Sequence, residues 1–544
     1  MSIHYNQAGY DPALPKKAII TGKGDNCAIL NERDMGAWSR QADEKNNFVL
    51  SDPVFDEASG DTVRVLDFSG ISKPGRYFIF ADGETVTIEI KEKPYHALSG
   101  ALVKAFYYQR CGCELPEKYA GPYCHGACHL GKAVLVNDDG TVDSNTVIDC
   151  AGGWHDAGDY GRYTAPAATA LGHLLYSYEL FPQAYKDELN IPESGNGVPD
   201  ILNECRYELE WMLKMQRADG GLYHKTATRN FAHFIMPEED NDDLFLFRVT
   251  YSSTAGFAAS IAQASRVYRP FDAAFSAKLL EAAKKAWDWM EANPVFDTFA
   301  NPPGFHSGGY GDFFCEDGLF WASAELYSIT GDSRYIEALK KCVNNVDISK
   351  FGWKQTAGFG ALCCLFVLKE KLEGNLFASI KERFIRGADS FLALAEKSAY
   401  GTALGADGYV WGSALPILNN AIAMICACLL TKDMKYRNAA QNQLDYLLGM
   451  NATGYSFVTG FGERAFRFPH HRPSFADGVD APVPGLVSGG PNRQYPDMVT
   501  KTLIPPDTPA AKFYIDYTPT ASANEIAIYW NSPAVFVAAY FDVV

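Results

Sequence analysis

PILNNAIAMICACLL, residues 416–430, carries apolar side chains on more than one helical face. Its large and small apolar residues recur at intervals of three and four, the period of an α-helix, yet no continuous polar stripe is left for solvent. Such a helix has to be covered by other helices. The same period governs the chain from about residue 96 onward. It predicts twelve helical segments, near 96–111, 165–181, 200–216, 252–268, 273–293, 317–331, 333–343, 356–372, 375–396, 416–431, 434–450 and 524–541. Between them run long loops rich in Gly, Pro and Asp, read as free of strands. Twelve helices with long loops fit a toroid of inner and outer helix rings whose loops build a cleft at one end; an irregular α-bundle has the same periodicity.

Residues 1–92 have a different rhythm. KAIITG (17–22), CAIL (27–30), VRVLDFS (63–69), GRYFIFA (75–81) and TVTIEIK (85–91) are short β-branched or aromatic runs. They are separated by the turns GKGDN (22–26), SKPG (72–75) and ADGE (81–84). Short strands at this spacing predict a small β-sandwich of immunoglobulin type. KEKPYHA (91–97) is the joint, so the predicted domains are 1–92 and 93–544.

Composition narrows the function classes. Of 544 residues, 47% are apolar and 21% charged, which predicts a well-buried core rather than disorder. The net charge of −17, with no basic run, argues against nucleic acid or an anionic membrane as partner. An aromatic share of 13% suits ligands with flat apolar faces, of which sugars are the commonest. No stretch of about twenty apolar residues occurs, so no membrane span is expected. The start, MSIHYNQAGYDPALPKK, lacks the apolar core of a signal peptide. Thirteen cysteines is an odd number for a disulfide framework, and several sit in apolar helical runs, so a reducing cytoplasm is expected. A secreted chain trimmed of its leader would begin the same way. Nothing in the residues fixes an oligomeric state.

Three stretches carry chemistry. AGGWHDAGDYGRY (151–163) sets Asp156 and Asp159 three apart among glycines and aromatics, whereas a surface turn needs one acid. SFVTGFGERAFRFPHHRPS (456–474) gathers His470, His471 and Arg472 in a loop. SANEIAIYWNSPAVF (522–536) places Glu525 at the predicted start of the last helix, where an acid would by itself only complement the macrodipole. A fourth stretch, CGCELPEKYAGPYCHGACH (111–129), packs Cys111, Cys113, Cys124, His125, Cys128 and His129 together. Thiolates and imidazoles are the ligands of structural zinc; scattered buried thiols are the other reading. The acidic run EEDNDD (238–243) offers oxygen ligands for calcium, or a solvated charged loop. Trp154, Tyr310, Trp411 and Trp530 are candidates for stacking on sugar rings, and Trp411, in the Gly-rich DGYVWGS (407–413), is the foremost of them.

Taken together and in this order, these stretches resemble glycoside hydrolase family 9, whose members are mostly β-1,4-glucanases. IHYNQAGY (3–10) with the strand-rich region resembles the immunoglobulin-like domain of one branch. The resemblance covers nearly the whole chain and implies an (α/α)6 barrel and hydrolysis with inversion. Inversion needs a basic carboxylate and an acidic carboxyl about 6.5–9.5 Å apart, leaving room for a water. The resemblance implies Asp159 as base, Asp156 as its partner in holding the water, and Glu525 as acid, with His470 and Arg472 binding hydroxyls. It also implies a zinc held by Cys111, Cys128, His129 and His155, with Cys113, Cys124 and His125 as spares. The family usually has an aromatic residue four positions before the acid, where this chain has Ala521. The expected activity is that of an endo-β-1,4-glucanase; the alternatives are an exo-β-glucosaminidase of the same fold, a zinc-dependent hydrolase and a sugar-binding protein without catalysis.

Overall fold

The computed structural model of the chain describes residues 3–22, 27–31, 48–186 and 188–544. The turn read at 22–26 lies, apart from Gly22, outside the described residues.

The N-terminal part is a sandwich of two antiparallel sheets. One joins β1 (Ile3–Tyr5), β2 (Lys17–Thr21), β6 (Asp61–Asp67) and β4 (Val49–Leu50), with β5 (Val54–Asp56) also on β6. The other joins β3 (Cys27–Asn31), β7 (Gly75–Ala81) and β8 (Glu84–Ile90). Alternation decides the inner face: in β8, Val86, Ile88 and Ile90 are buried while Glu89 faces out. They meet Ile3, Ile20, Leu66 and Ile79 from the other strands in one core.

Twelve helices follow where the period predicts them: α1 (His96–Tyr108), α2 (Thr164–Leu180), α3 (Asp200–Lys214), α4 (Tyr251–Tyr268), α5 (Ala273–Ala292), α6 (Glu316–Thr330), α7 (Ser333–Cys342), α8 (Ala357–Leu362), α9 (Gly374–Lys397), α10 (Ala414–Thr431), α11 (Met434–Leu447) and α12 (Ile528–Val543). Burial sorts them into two rings. α2, α4, α8, α10 and α12 are buried on all sides, and α12 packs against α2 and α10. The outer helices bury one stripe: in α9 it is Ile380, Phe384, Ala388, Phe391, Leu392 and Ala395, one face of a 3.6-residue helix. α5 covers α4, α7 covers α6, and α11 covers α10. By length and composition α10 is apolar enough to cross a membrane, but Ile417–Cys428 are buried among α9, α11 and α12, the place of a core helix.

The structure corrects the reading of the loops as strand-free. β9 (Lys132–Val136), β10 (Val142–Asp149), β11 (Arg162–Tyr163), β12 (Lys225–Ala227) and β13 (Phe245–Phe247) form a sheet in the order β10-β9-β13-β12-β11. Three of these strands have two or three residues, too short for a period-2 pattern, and β13 pairs with β9 across more than a hundred residues. Glu525 is corrected too. It stands not in the last helix but on extended backbone (φ −67°, ψ 155°) between a short turn, Ala521–Asn524, and α12.

The two parts share a polar joint. Asn6 Nδ2 donates to Asp445 Oδ1 at 2.6 Å, both buried. The Gln7 side chain donates to Gly454 O and accepts from Arg464 N, pinning the loop that runs on to His470.

Candidate active site

Backbone pairing brings the separated stretches together. Ala157 bridges Ala527, His470 bridges Glu525, and Ile528 N donates to Asp156 O at 2.8 Å. Arg472 N donates to Gly158 O at 3.1 Å. Gly158 has to be glycine: a Cβ there would lie 1.7 Å from His470 O.

These contacts gather Asp156, Asp159, His470, Arg472 and Glu525 around one cleft of about 450 Å³, which Trp411 also lines. Asp159 Oδ2 accepts from Gly161 N at 2.9 Å and from Tyr163 OH at 3.4 Å. Asp156 is buried. Its Oδ2 accepts from Tyr310 OH at 2.5 Å, while its Oδ1 has no hydrogen-bond partner among the described residues. Burial, with Asp159 and Glu208 nearby, pushes the Asp156 carboxyl well above the usual range, against the Tyr310 hydrogen bond. Glu525 is likewise pushed well up, first by desolvation of its carboxyl and then by the charges of Asp159 and Asp156.

His470 Nδ1 faces Thr518 O at 2.7 Å; a carbonyl only accepts, so Nδ1 carries the proton. Arg472 is fixed by Gly158 O (Nη1, 2.7 Å) and Ala232 O (Nε, 2.8 Å). His471 turns away: its Nε2 meets Gln109 Oε1 at 2.9 Å, and Gln109 also donates to His155 O and Ala157 O. That pair braces the turn from α1.

Aromatic side chains line the cleft: Tyr310, Trp353, Trp411, Tyr529 and Trp530, with Phe231 on the rim. Trp411 is 44% exposed and stands beside Glu525 on the cleft wall, where it pulls against the upward shift of that carboxyl. Trp154 is not among them. It is 1% exposed, packed on Phe106, and donates to Glu204, so its place is the core. Sequence reasoning missed Tyr163, Phe231, Trp353 and Tyr529. Tyr163 and Tyr529 each stand four residues after a catalytic candidate, inside the stretches already singled out. Phe231 and Trp353 lie in loops without a pattern. Ala521, where the resemblance leads one to expect an aromatic ring, lines the cleft with a methyl group.

Beside the turn, the ligand atoms of Cys111, Cys128, His129 and His155 all lie within 4.8 Å of one another, and all four residues are buried. This is the one such group of His, Cys and acids among the described residues. Cys113, Cys124 and His125 stand outside it. The carboxylates of 238–243 do not converge either: Glu238 accepts from Gly126 N, Glu239 from Met236 N, and Asp240 faces His129.

The family model of glycosyl hydrolase family 9 matches residues 95–538, and that of the cellulase N-terminal ig-like domain matches 1–86. The chain belongs to glycosyl hydrolase family 9. It is 36% identical to a cellodextrinase of Butyrivibrio fibrisolvens, over 98% of each chain. Among solved structures, a single mutant of a thermostable endoglucanase from Alicyclobacillus acidocaldarius superposes with a TM-score of 0.89 at 36% identity, over 100% of both chains. A zinc-binding triple mutant of another family 9 endoglucanase superposes with a TM-score of 0.90 at 32% identity, over 98% of this chain and 99% of that one. The two-ring barrel with its β-sandwich is therefore the fold of a family 9 glycoside hydrolase.

Proposed function

We propose that this family 9 enzyme hydrolyses β-1,4-glucosidic bonds of cello-oligosaccharides and related glucans, inverting the anomeric centre. One observation carries the reading. Glu525, with its proton held on, and the Asp156–Asp159 pair line the same aromatic-walled cleft. In this reading Asp159 takes a proton from a water while that oxygen attacks C1. Glu525 gives its proton to the glycosidic oxygen as the C1–O bond breaks. Asp156 Oδ1, open and buried, is placed to steady the water beside Asp159. His470 Nε2 and the Arg472 guanidinium bind sugar hydroxyls, and Trp411 stacks on a ring. The cellodextrinase relative supports this substrate class. A 2-amino sugar would need a further acid at the cleft, and the acids that line it are already engaged in the chemistry.

The test is the first-formed product. With cello-oligosaccharides, NMR should show the α-anomer first; β-product would require a covalent intermediate and remove Asp159 from the role of base. A fall in the viscosity of carboxymethylcellulose ahead of sugar release reports endo action.

Zinc fits the group of Cys111, Cys128, His129 and His155: two thiols and two imidazoles are its usual ligands, and the buried His129 Nδ1 has no other partner among the described residues. Four protein donors fill a tetrahedral site, so zinc bound there supplies rigidity and no chemistry on the substrate. The acidic run is not read as a calcium site, because its carboxylates serve separate partners. The thirteen unpaired thiols support a reducing, cytoplasmic location, which cell fractionation would test.

A further inference from the structure

One carboxylate of the acidic run 238–243 faces inward. Asp240 Oδ2 lies 3.2 Å from His129 Nε2, with the two side chains only 3% and 2% exposed. A carboxylate offers acceptors alone, so the ring presents Nε2–H to it. In the neutral ring that a metal ligand has to be, His129 Nδ1 then keeps its lone pair; it is buried and without a hydrogen-bond partner among the described residues, beside Cys111, Cys128 and His155. His129 takes φ +49°, the left-handed region that few non-glycine residues occupy and that histidine tolerates better than most. Glu238, from the same acidic loop, grips the other side of the ligand loop through Gly126 N at 3.2 Å.

We propose that Asp240 is the positioning residue that holds His129 in the Nε2–H form with Nδ1 aimed at the ligand group, and so sets how tightly that group keeps a zinc ion. The inference rests on the zinc reading above. A carboxylate behind a ligating histidine fixes the ring and makes the ligating nitrogen more basic, and losing such a partner typically costs 10–100-fold in metal affinity, roughly. The acidic run is thus a clamp on the metal loop rather than a cation site of its own.

The experiment compares full-length wild type with Asp240→Ala, Asp240→Asn and Asp240→Glu. Zinc retention is measured by competition with a chromophoric chelator, and the ligand field by the visible spectrum of the cobalt(II)-substituted proteins. We expect zinc to be held about 10–100-fold more weakly in Asp240→Ala with a shifted cobalt band, a smaller effect of the same sign in the isosteric Asp240→Asn, and recovery of both readouts in Asp240→Glu. The inference is overturned if affinity and cobalt band in Asp240→Ala match the wild type; should that variant fail to fold, the same result in Asp240→Asn decides. A wild type that binds no zinc after loading overturns the zinc reading and this inference with it. A purely structural Asp240 would lower stability without moving the cobalt spectrum.

Discussion

In the proposed mechanism a single proton on Glu525 decides between activity and its absence. The residue must be protonated to act as acid, and the surroundings that hold its proton on also set the pH at which activity ends. Its folded pKa is raised, so kcat/KM should fall as pH rises through that value, the ionised form having nothing to donate. Glu525→Gln cannot donate either. It should lose about 10²–10⁴ in kcat on unactivated cello-oligosaccharides, keep its binding of them, and lose the alkaline limb of the pH profile. Activity above a tenth of wild type (about 1.4 kcal/mol) would remove Glu525 from the acid role. His470 and His471, adjacent in sequence, take opposite parts: one lines the cleft, and the other braces the turn through Gln109.

At the scale of elements, the site is a junction of loops held by backbone pairing and by the ligand group. Gly158→Ala would drive a Cβ into His470 O, and the neighbour is backbone that cannot swing away. Parting the base turn from the His470–Glu525 strand pair should cost about 1–3 kcal/mol or more, read as a lower melting temperature with activity lost more steeply than stability. Cys128→Ser tests the other fastening. Cys111 follows α1, its N–H donates to Gly153 O at 2.8 Å, and His155 adjoins Asp156, so the group ties helix, loop and turn together. The variant should contain no zinc by elemental analysis and melt at lower temperature, because metal binding is stabilisation that the unfolded chain lacks. Full stability and activity without zinc would return these residues to the class of buried thiols.

At the scale of the whole molecule, Asp445 lies buried where the β-sandwich meets the barrel. Burial pushes its carboxyl up to about 7, while Asn6 partly offsets the shift. The folded state therefore holds a proton that the unfolded chain releases near pH 4, roughly. Between about pH 4 and pH 7 the folded form binds more protons, so this group's contribution to stability falls as pH rises through that window and is level above it. Asp445→Asn keeps the shape and an acceptor for Asn6 but has no proton to lose. Its stability relative to wild type, by denaturant unfolding, should rise across that window; a difference independent of pH would show that Asp445 is not buried as a protonated acid.

The sequence by itself determined the twelve helices and five strands of the sandwich, because a period of 3.6 or 2 is a local property written in side chains a few positions apart; β1, β4 and β5, of two or three residues, are too short to carry one. It also singled out Asp156 and Asp159 as two acids in one Gly-rich turn and His470 and Arg472 in one loop, while Glu525 took its role from the resemblance alone; the structure gathers all five at one cleft. What it held only as a resemblance was that stretches hundreds of residues apart meet. The short sheet β9–β13, the strand conformation of Glu525, the inward turn of His471 and the burial of Trp154 depend on partners far away in the chain. Whether an aromatic ring is core or cleft wall, and whether an acidic run meets solvent or a histidine, is settled by what packs against it. For Trp154 that is Phe106, and for Asp240 it is His129.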